Sequence, residues 1–135
     1  MASAAPTAEP LVVLVVEDNP LIRDLFHHAV RKLAAEYPRP IQLLEVGDGA
    51  TAWEHLAANP VDLLVVDLYL PVLGGIELIK RVRDKPEVAA TKILAMSASY
   101  TDAKSRSLLA GADQFIQKPL QLVDVLDCLR SLLRS

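Results

Sequence analysis

The chain holds a single cysteine, Cys128, so no internal disulfide can form, and a reducing setting such as the cytoplasm suits it. Long apolar runs are missing too. The longest, Leu11 to Val16, has the length of a strand and falls far short of the roughly 18–20 residues of a membrane span. The first ten residues, MASAAPTAEP, lack the basic start and apolar stretch of a secretory signal, and they read as a disordered lead-in to a domain over 11–135. A basic excess is absent: fourteen Lys and Arg stand against seventeen Asp and Glu, a net charge of −3, which argues against a direct grip on nucleic acid. No internal repeat, low-complexity tract, Gly-x-Gly-x-x-Gly or phosphate-loop motif occurs. What remains is 135 residues, 52% hydrophobic, enough for one compact domain with one core system.

Strand and helix signals alternate along that domain. Leu11–Val16 is continuously apolar and β-branched, the pattern of a strand buried on both faces. Asn19-Pro20 caps a helix, with proline at its first position, whose apolar face is Leu21, Ile22, Leu25, Phe26, Ala29, Val30 and Leu33. Ile41–Val46, interrupted by Gln42 and Glu45, reads as an edge strand. Asp48-Gly49 is a turn before a short helix carrying Trp53, Leu56 and Ala57. A third strand over 61–66 precedes a loop at 71–75 and a helix with Ile76, Ile79 and Val82 on one face. The strand at 92–96 leads to a helix from about Thr101 to Ala110, with Gly111 as its C-cap. A polar-interrupted strand over 113–117 reads as the other edge. The last helix shows Leu122, Leu126, Leu129 and Leu133 on one face. Five such alternations imply a doubly wound (βα)5 α/β fold, a five-stranded parallel sheet with helices on both faces. Apolar strands in the middle and interrupted ones at the edges favour the order 2-1-3-4-5, the flavodoxin-like arrangement.

The chemistry-bearing residues fall at strand ends. Glu17 and Asp18 end the first strand, Asp67 the third and Ser97 the fourth, and Lys118 follows the fifth. In a parallel sheet these ends share one edge, so residues distant in sequence converge on one crevice. Carboxylates gathered there repel, by about 4 kcal/mol for a pair 4 Å apart at an effective dielectric near 20. Such a cluster calls for a hard cation, and Mg²⁺ takes oxygen ligands of this kind. A cation, a lysine and a hydroxyl are what the equatorial oxygens of a transferring phosphoryl group require. A carboxylate held in line can act as nucleophile and form an aspartyl phosphate. Singly, each residue has a plainer role as helix cap, loop serine or solvated lysine. Their joint placement separates them from that background.

At this point the chain resembles the receiver domain of two-component response regulators. The likeness rests on Val15-Val-Glu-Asp-Asn19, Asp67-Leu-Tyr-Leu-Pro71 with Gly75, Met96-Ser-Ala98 and Gln117-Lys-Pro119, and covers about residues 10–134. The resemblance implies that Asp67 is the phosphoacceptor, fed by a histidine kinase or histidine phosphotransfer protein. It implies that Glu17, Asp18, Asp67 and the backbone carbonyl of Tyr69 hold Mg²⁺, and that Lys118 pairs with the phosphate. It makes Ser97 the switch hydroxyl, Phe115 the aromatic switch and Lys118-Pro119 a cis bond, although Phe115 reads equally well as a core aromatic of an edge strand. Position 70 is Leu where Met is the commoner family choice. Tyr69 and Ser99 stand where the family tunes phosphoryl lifetime, and a bulky Tyr69 is expected to shield the acyl phosphate from water.

Other residues read more plainly. His27 and His28 face solvent on the first helix, near the family's kinase-docking surface; Trp53 and Cys128 pack structurally; Arg81, Arg83 and Lys85 form a solvated helix end. The preferred function is a stand-alone signalling switch acting through protein–protein contact at the fourth helix, fifth strand and fifth helix, a face that also suits a homodimer. A receiver module excised from a larger hybrid kinase or transcription regulator is the alternative. An aspartyl-phosphate enzyme, which carries a second acid two residues after its nucleophile, is disfavoured because Tyr69 stands there. A degenerate receiver is disfavoured by the complete residue set.

Overall fold

The computed structural model describes residues 9–99 and 102–134. Most of the expected disordered lead-in, and the expected helix start at Thr101, lie outside the described residues. Ten elements alternate: β1 (Leu11–Val16), α1 (Pro20–Ala34), β2 (Ile41–Val46), α2 (Gly49–Ala58), β3 (Leu63–Asp67), α3 (Gly75–Asp84), β4 (Lys92–Ser97), α4 (Ala103–Ala110), β5 (Gln114–Gln117) and α5 (Leu122–Arg134). All strand pairs are parallel, in the order β2-β1-β3-β4-β5. The apolar strands β1, β3 and β4 occupy the middle because only they can be covered on both faces. β3 is buried throughout, whereas β2 and β5 are mostly half-buried.

The sheet divides the core in two. One face packs Leu14, Val16, Leu64, Val66, Ile93 and Ala95 under α2, α3 and α4. The other packs Val13, Val15, Leu63, Val65, Leu94 and Met96 under α1 and α5. Alternation along each strand sends successive side chains to opposite faces, so the all-apolar strands feed both layers at once.

Several local expectations shift. Asp48 is an N-cap rather than a turn residue, its carboxylate accepting from the Thr51 N–H at 2.8 Å. Gly49 begins α2, where a Cβ would overlap the Leu73 carbonyl. Leu21 lies one turn too early to reach the core and is 77% exposed. On α5 the buried stripe is Val125, Leu126, Leu129 and Leu132, with Leu122 and Leu133 only partly covered, because the helix docks rotated from the all-leucine line. Arg83 is not solvated. Its guanidinium donates to the carbonyls of Gly111 (2.9 Å), Ala89 (2.8 Å) and Thr91 (2.6 Å) and to Asp113 (3.0 Å). Arg81 instead lies 6.0 Å above the Trp53 ring, which is itself packed against the core.

Candidate phosphoacceptor site

β1 ends at Val16, yet pairing continues one residue further: the Glu17 N–H donates to the Val46 carbonyl at 3.0 Å. Glu17 is thereby drawn under the chain and is 1% exposed. One carboxylate oxygen accepts from the Asn19 N–H at 3.1 Å, and its carbonyl accepts from Arg23 Nε at 2.6 Å. Asn19 in turn caps α1 through its own side chain, accepting from the Leu21 N–H at 2.9 Å, with Pro20 at the first helical position. Helix start and acid placement are thus one local structure. Asp18 is exposed beside it.

Asp67 closes β3 and is also buried. Its Oδ1 accepts from the Tyr69 N–H at 3.0 Å. The chain then turns sharply. The Leu73 N–H donates to the Pro71 carbonyl at 2.8 Å around Val72, whose φ is +69°. A β-branched residue in that region marks a strained γ-turn. α3 starts immediately afterwards, and Gly75 sits so close to Asp67 that a Cβ would fall 2.5 Å from the Asp67 carbonyl oxygen. Only glycine permits this approach.

Ser97, fully buried at the end of β4, accepts the Ser99 N–H on Oγ at 3.0 Å. The Lys118 N–H donates to the Ser97 carbonyl at 2.8 Å, which sends the lysine back across the sheet edge, and Lys118-Pro119 is cis. Lys118 Nζ reaches Asp67 Oδ2 at 2.7 Å and Glu17 Oε1 at 2.8 Å. Glu17, Asp67 and Lys118 are therefore brought into direct contact, and Ser97 is tied to Lys118 through backbone. Phe115, half-buried on β5, packs against the α2–α3–α4 side of the core. Tyr69 is 64% exposed, and Ser99 is half-buried beyond Ser97.

Electrostatics follow from this geometry. Burial pushes the Glu17 carboxyl above its ordinary range, although Lys118 and the Asn19 N–H pull the other way. Burial would depress Lys118, but its bonds to Asp67 and Glu17 together outweigh that and leave its ammonium above the usual lysine value. Lys118 thus stays charged and offsets two carboxylates that would otherwise repel. Among the described residues no group of three acidic, histidine or cysteine side chains is clustered to hold a metal ion. The donor set is nonetheless all oxygen around two buried carboxylates, with the exposed Asp18 next in the chain, which suits a hard divalent cation. Arg23 carries no sequence signal at this edge, and the contacts of Gly49 and Gln117 are not visible in the turn and motif that contain them.

The family profile described as "Response regulator receiver domain" matches residues 13–130. Response regulator GtcR of Aneurinibacillus migulanus is 32% identical over 123 residues, covering 90% of this chain and 47% of that protein. Two-component response regulator ARR16 of Arabidopsis thaliana is 30% identical over 126 residues, covering 87% of this chain and 77% of that protein. The chain spans less than half the length of the first relatives it matches. Among solved structures, the signal receiver domain of a histidine kinase from Syntrophus aciditrophicus has a TM-score of 0.79 at 26% identity, covering 91% of this chain and 89% of that one. The receiver domain of sensor histidine kinase PA1611 from Pseudomonas aeruginosa, solved with magnesium coordinated in its active-site cleft, has a TM-score of 0.80 at 23% identity, covering 94% of this chain and 100% of that one. No helix among the described residues is long and apolar enough to cross a membrane. With its parallel sheet in the order 2-1-3-4-5 and its acid–lysine contact at the strand ends, the chain belongs to the response regulator receiver domain family of two-component signalling systems.

Proposed function

We propose that Asp67 accepts a phosphoryl group from a histidine kinase or histidine phosphotransfer protein, with Mg²⁺ held by Glu17, Asp18, Asp67 and the Tyr69 carbonyl. The observation that carries this reading is the Lys118 ammonium donating at once to Asp67 and Glu17. A carboxylate oxygen of Asp67 attacks phosphorus, the bond from phosphorus to the donor's imidazole nitrogen breaks, and the donor keeps that electron pair. Lys118 and the Ser97 hydroxyl supply positive charge and a hydrogen bond to the phosphoryl oxygens. Bound Mg²⁺ would neutralise further negative charge there. The chain's own catalysis is confined to gaining and losing this phosphoryl group.

Phosphorylation replaces the single charge of the Asp67 carboxylate with roughly two on the acyl phosphate, a net gain of about −1. Ser97 then engages the phosphoryl group and the Phe115 ring follows inward, shifting an existing two-state balance. The readout surface is α4–β5–α5, where Leu108, Leu109 and Val123 are exposed. It serves a downstream protein or a second copy of the chain, a choice that light scattering with and without phosphodonor decides. Tyr69 and Ser99 set the lifetime, and decay faster in Tyr69→Ala than in wild type is the expected result.

Intact mass after incubation with acetyl phosphate and Mg²⁺ tests the reading. A gain of one phosphoryl mass, lost in Asp67→Asn and without Mg²⁺, is expected. No gain with any small phosphodonor would overturn it in favour of a receiver that binds partners unmodified. A second reading, a receiver module (residues 11–135, with 1–10 as lead-in) of a larger cytoplasmic regulator or hybrid kinase, is supported by the far greater length of several relatives. The native reading frame decides it.

A further inference from the structure

Gln117 ends β5 directly opposite Ser97 in the β4–β5 register. Along β5 the side chain of Ile116 is buried on one face, and those of Phe115 and Gln117 fall on the other. A half-buried amide at that position needs partners. Gln117 Nε2 donates to the Ser97 carbonyl at 3.1 Å and, more weakly, to the Lys118 carbonyl at 3.5 Å. Both partners are acceptors, so the amide nitrogen must be the atom facing them. The Ser97 carbonyl also receives the Lys118 N–H at 2.8 Å, so two donors fill its two lone pairs. One side chain therefore joins the backbones of the two residues that would meet the phosphoryl oxygens.

We infer that Gln117 is a positioning residue that fixes Ser97 Oγ and Lys118 Nζ relative to each other for phosphoryl binding. This rests on the function proposed above. The amide acts through backbone: without it, the Ser97 carbonyl keeps one donor and the end of β4 can slide against the Lys118 loop. Transfer chemistry depends on placement, and displacements near 1 Å can cost on the order of a hundredfold.

The test uses the full chain and trifluoroberyllate, a phosphoryl mimic that binds a carboxylate. Calorimetry measures its affinity at saturating Mg²⁺ and, separately, the affinity for Mg²⁺ alone. Gln117→Met, close in shape but without the donor, is expected to weaken trifluoroberyllate by about tenfold and leave Mg²⁺ binding unchanged. Acetyl phosphate kinetics should show a lower maximal rate at the same half-saturation. Gln117→Leu, also neutral and without the donor, should behave alike and serves if the Met variant does not fold. Equal losses of mimic and metal affinity would mean a merely structural role and overturn the inference, as would a variant equal to wild type. Failure of the wild type itself to bind trifluoroberyllate would overturn the underlying reading of the site.

Discussion

The two ends of the sheet use charge in opposite ways. At the C-terminal ends of the strands, charged groups meet one another: Lys118 lies between Glu17 and Asp67, all three largely buried. At the N-terminal ends, charged groups meet mostly backbone, beside the ion pair of Arg83 with Asp113 at 3.0 Å. Arg83 binds three carbonyls, Asp113 accepts the Ile93 N–H at 2.7 Å, and Asp62 accepts the Val12 N–H at 2.7 Å. A side chain bonded to backbone is committed to one geometry, because its partners cannot move without unfolding. A side chain such as Lys118, whose ammonium donates to two other side chains, can exchange partners while the backbone stays put. The N-terminal end fastens the fold, and the C-terminal end is the one where the proposed phosphoryl group would be received.

Lys118→Met should break the comparison most sharply. It leaves buried carboxylates facing each other without compensation, a loss of about 3 kcal/mol in urea unfolding with chelator present. Added Mg²⁺ should recover part of it, and no recovery would contradict the ligand-receiving role of this end. Because its carboxylates hold Lys118 above the ordinary lysine value, the contribution is complete at neutral pH and is lost only as pH rises through that raised value.

Arg83→Met should cost about 2 kcal/mol by the same measurement, since it strips donors from the carbonyls of Ala89, Thr91 and Gly111. Mg²⁺ should recover none of it, and the folded variant should still gain phosphoryl mass. Gly111→Ala attacks the same fastening more gently. Gly111 has φ +125°, and a Cβ there would lie 2.6 Å from Arg83 Cγ, so about 1 kcal/mol is expected. The two substitutions meet at one packed contact and should couple in a double-mutant cycle. The smallest effect belongs to Cys128, away from either end. Burial, helped by the charges of Asp124 and Asp127, pushes its thiol up. A disulfide reagent at neutral pH should modify it more slowly than free cysteine, with the rate climbing only in alkali.

Much of this was legible in the residues alone. Uninterrupted apolar strands announced a covered sheet and its central members, and strand-end residues of matching chemistry pointed to one candidate site before any geometry. Arg83 read as an ordinary solvated helix end because its partners are backbone carbonyls, which carry no residue signature. Gln117 stood in the Gln117-Lys-Pro119 motif, but its bond to the Ser97 carbonyl went unsignalled for the same reason. Leu21 and the α5 stripe misled because helical periodicity fixes which residues share a face, whereas the angle at which that face docks depends on the sheet beneath.

The sequence by itself determined the alternation of elements, the membership of the sheet's centre and edges, and the placement of Glu17, Asp67, Ser97 and Lys118 at one edge of the sheet, since these follow from local periodicity and from the shared direction of parallel strands. Only the tertiary structure decided that Lys118 bridges the two acids, that Gly75 lets α3 close against Asp67, and that Arg83 fastens the far end. Those outcomes depend on distances between segments tens of residues apart, which no local pattern encodes.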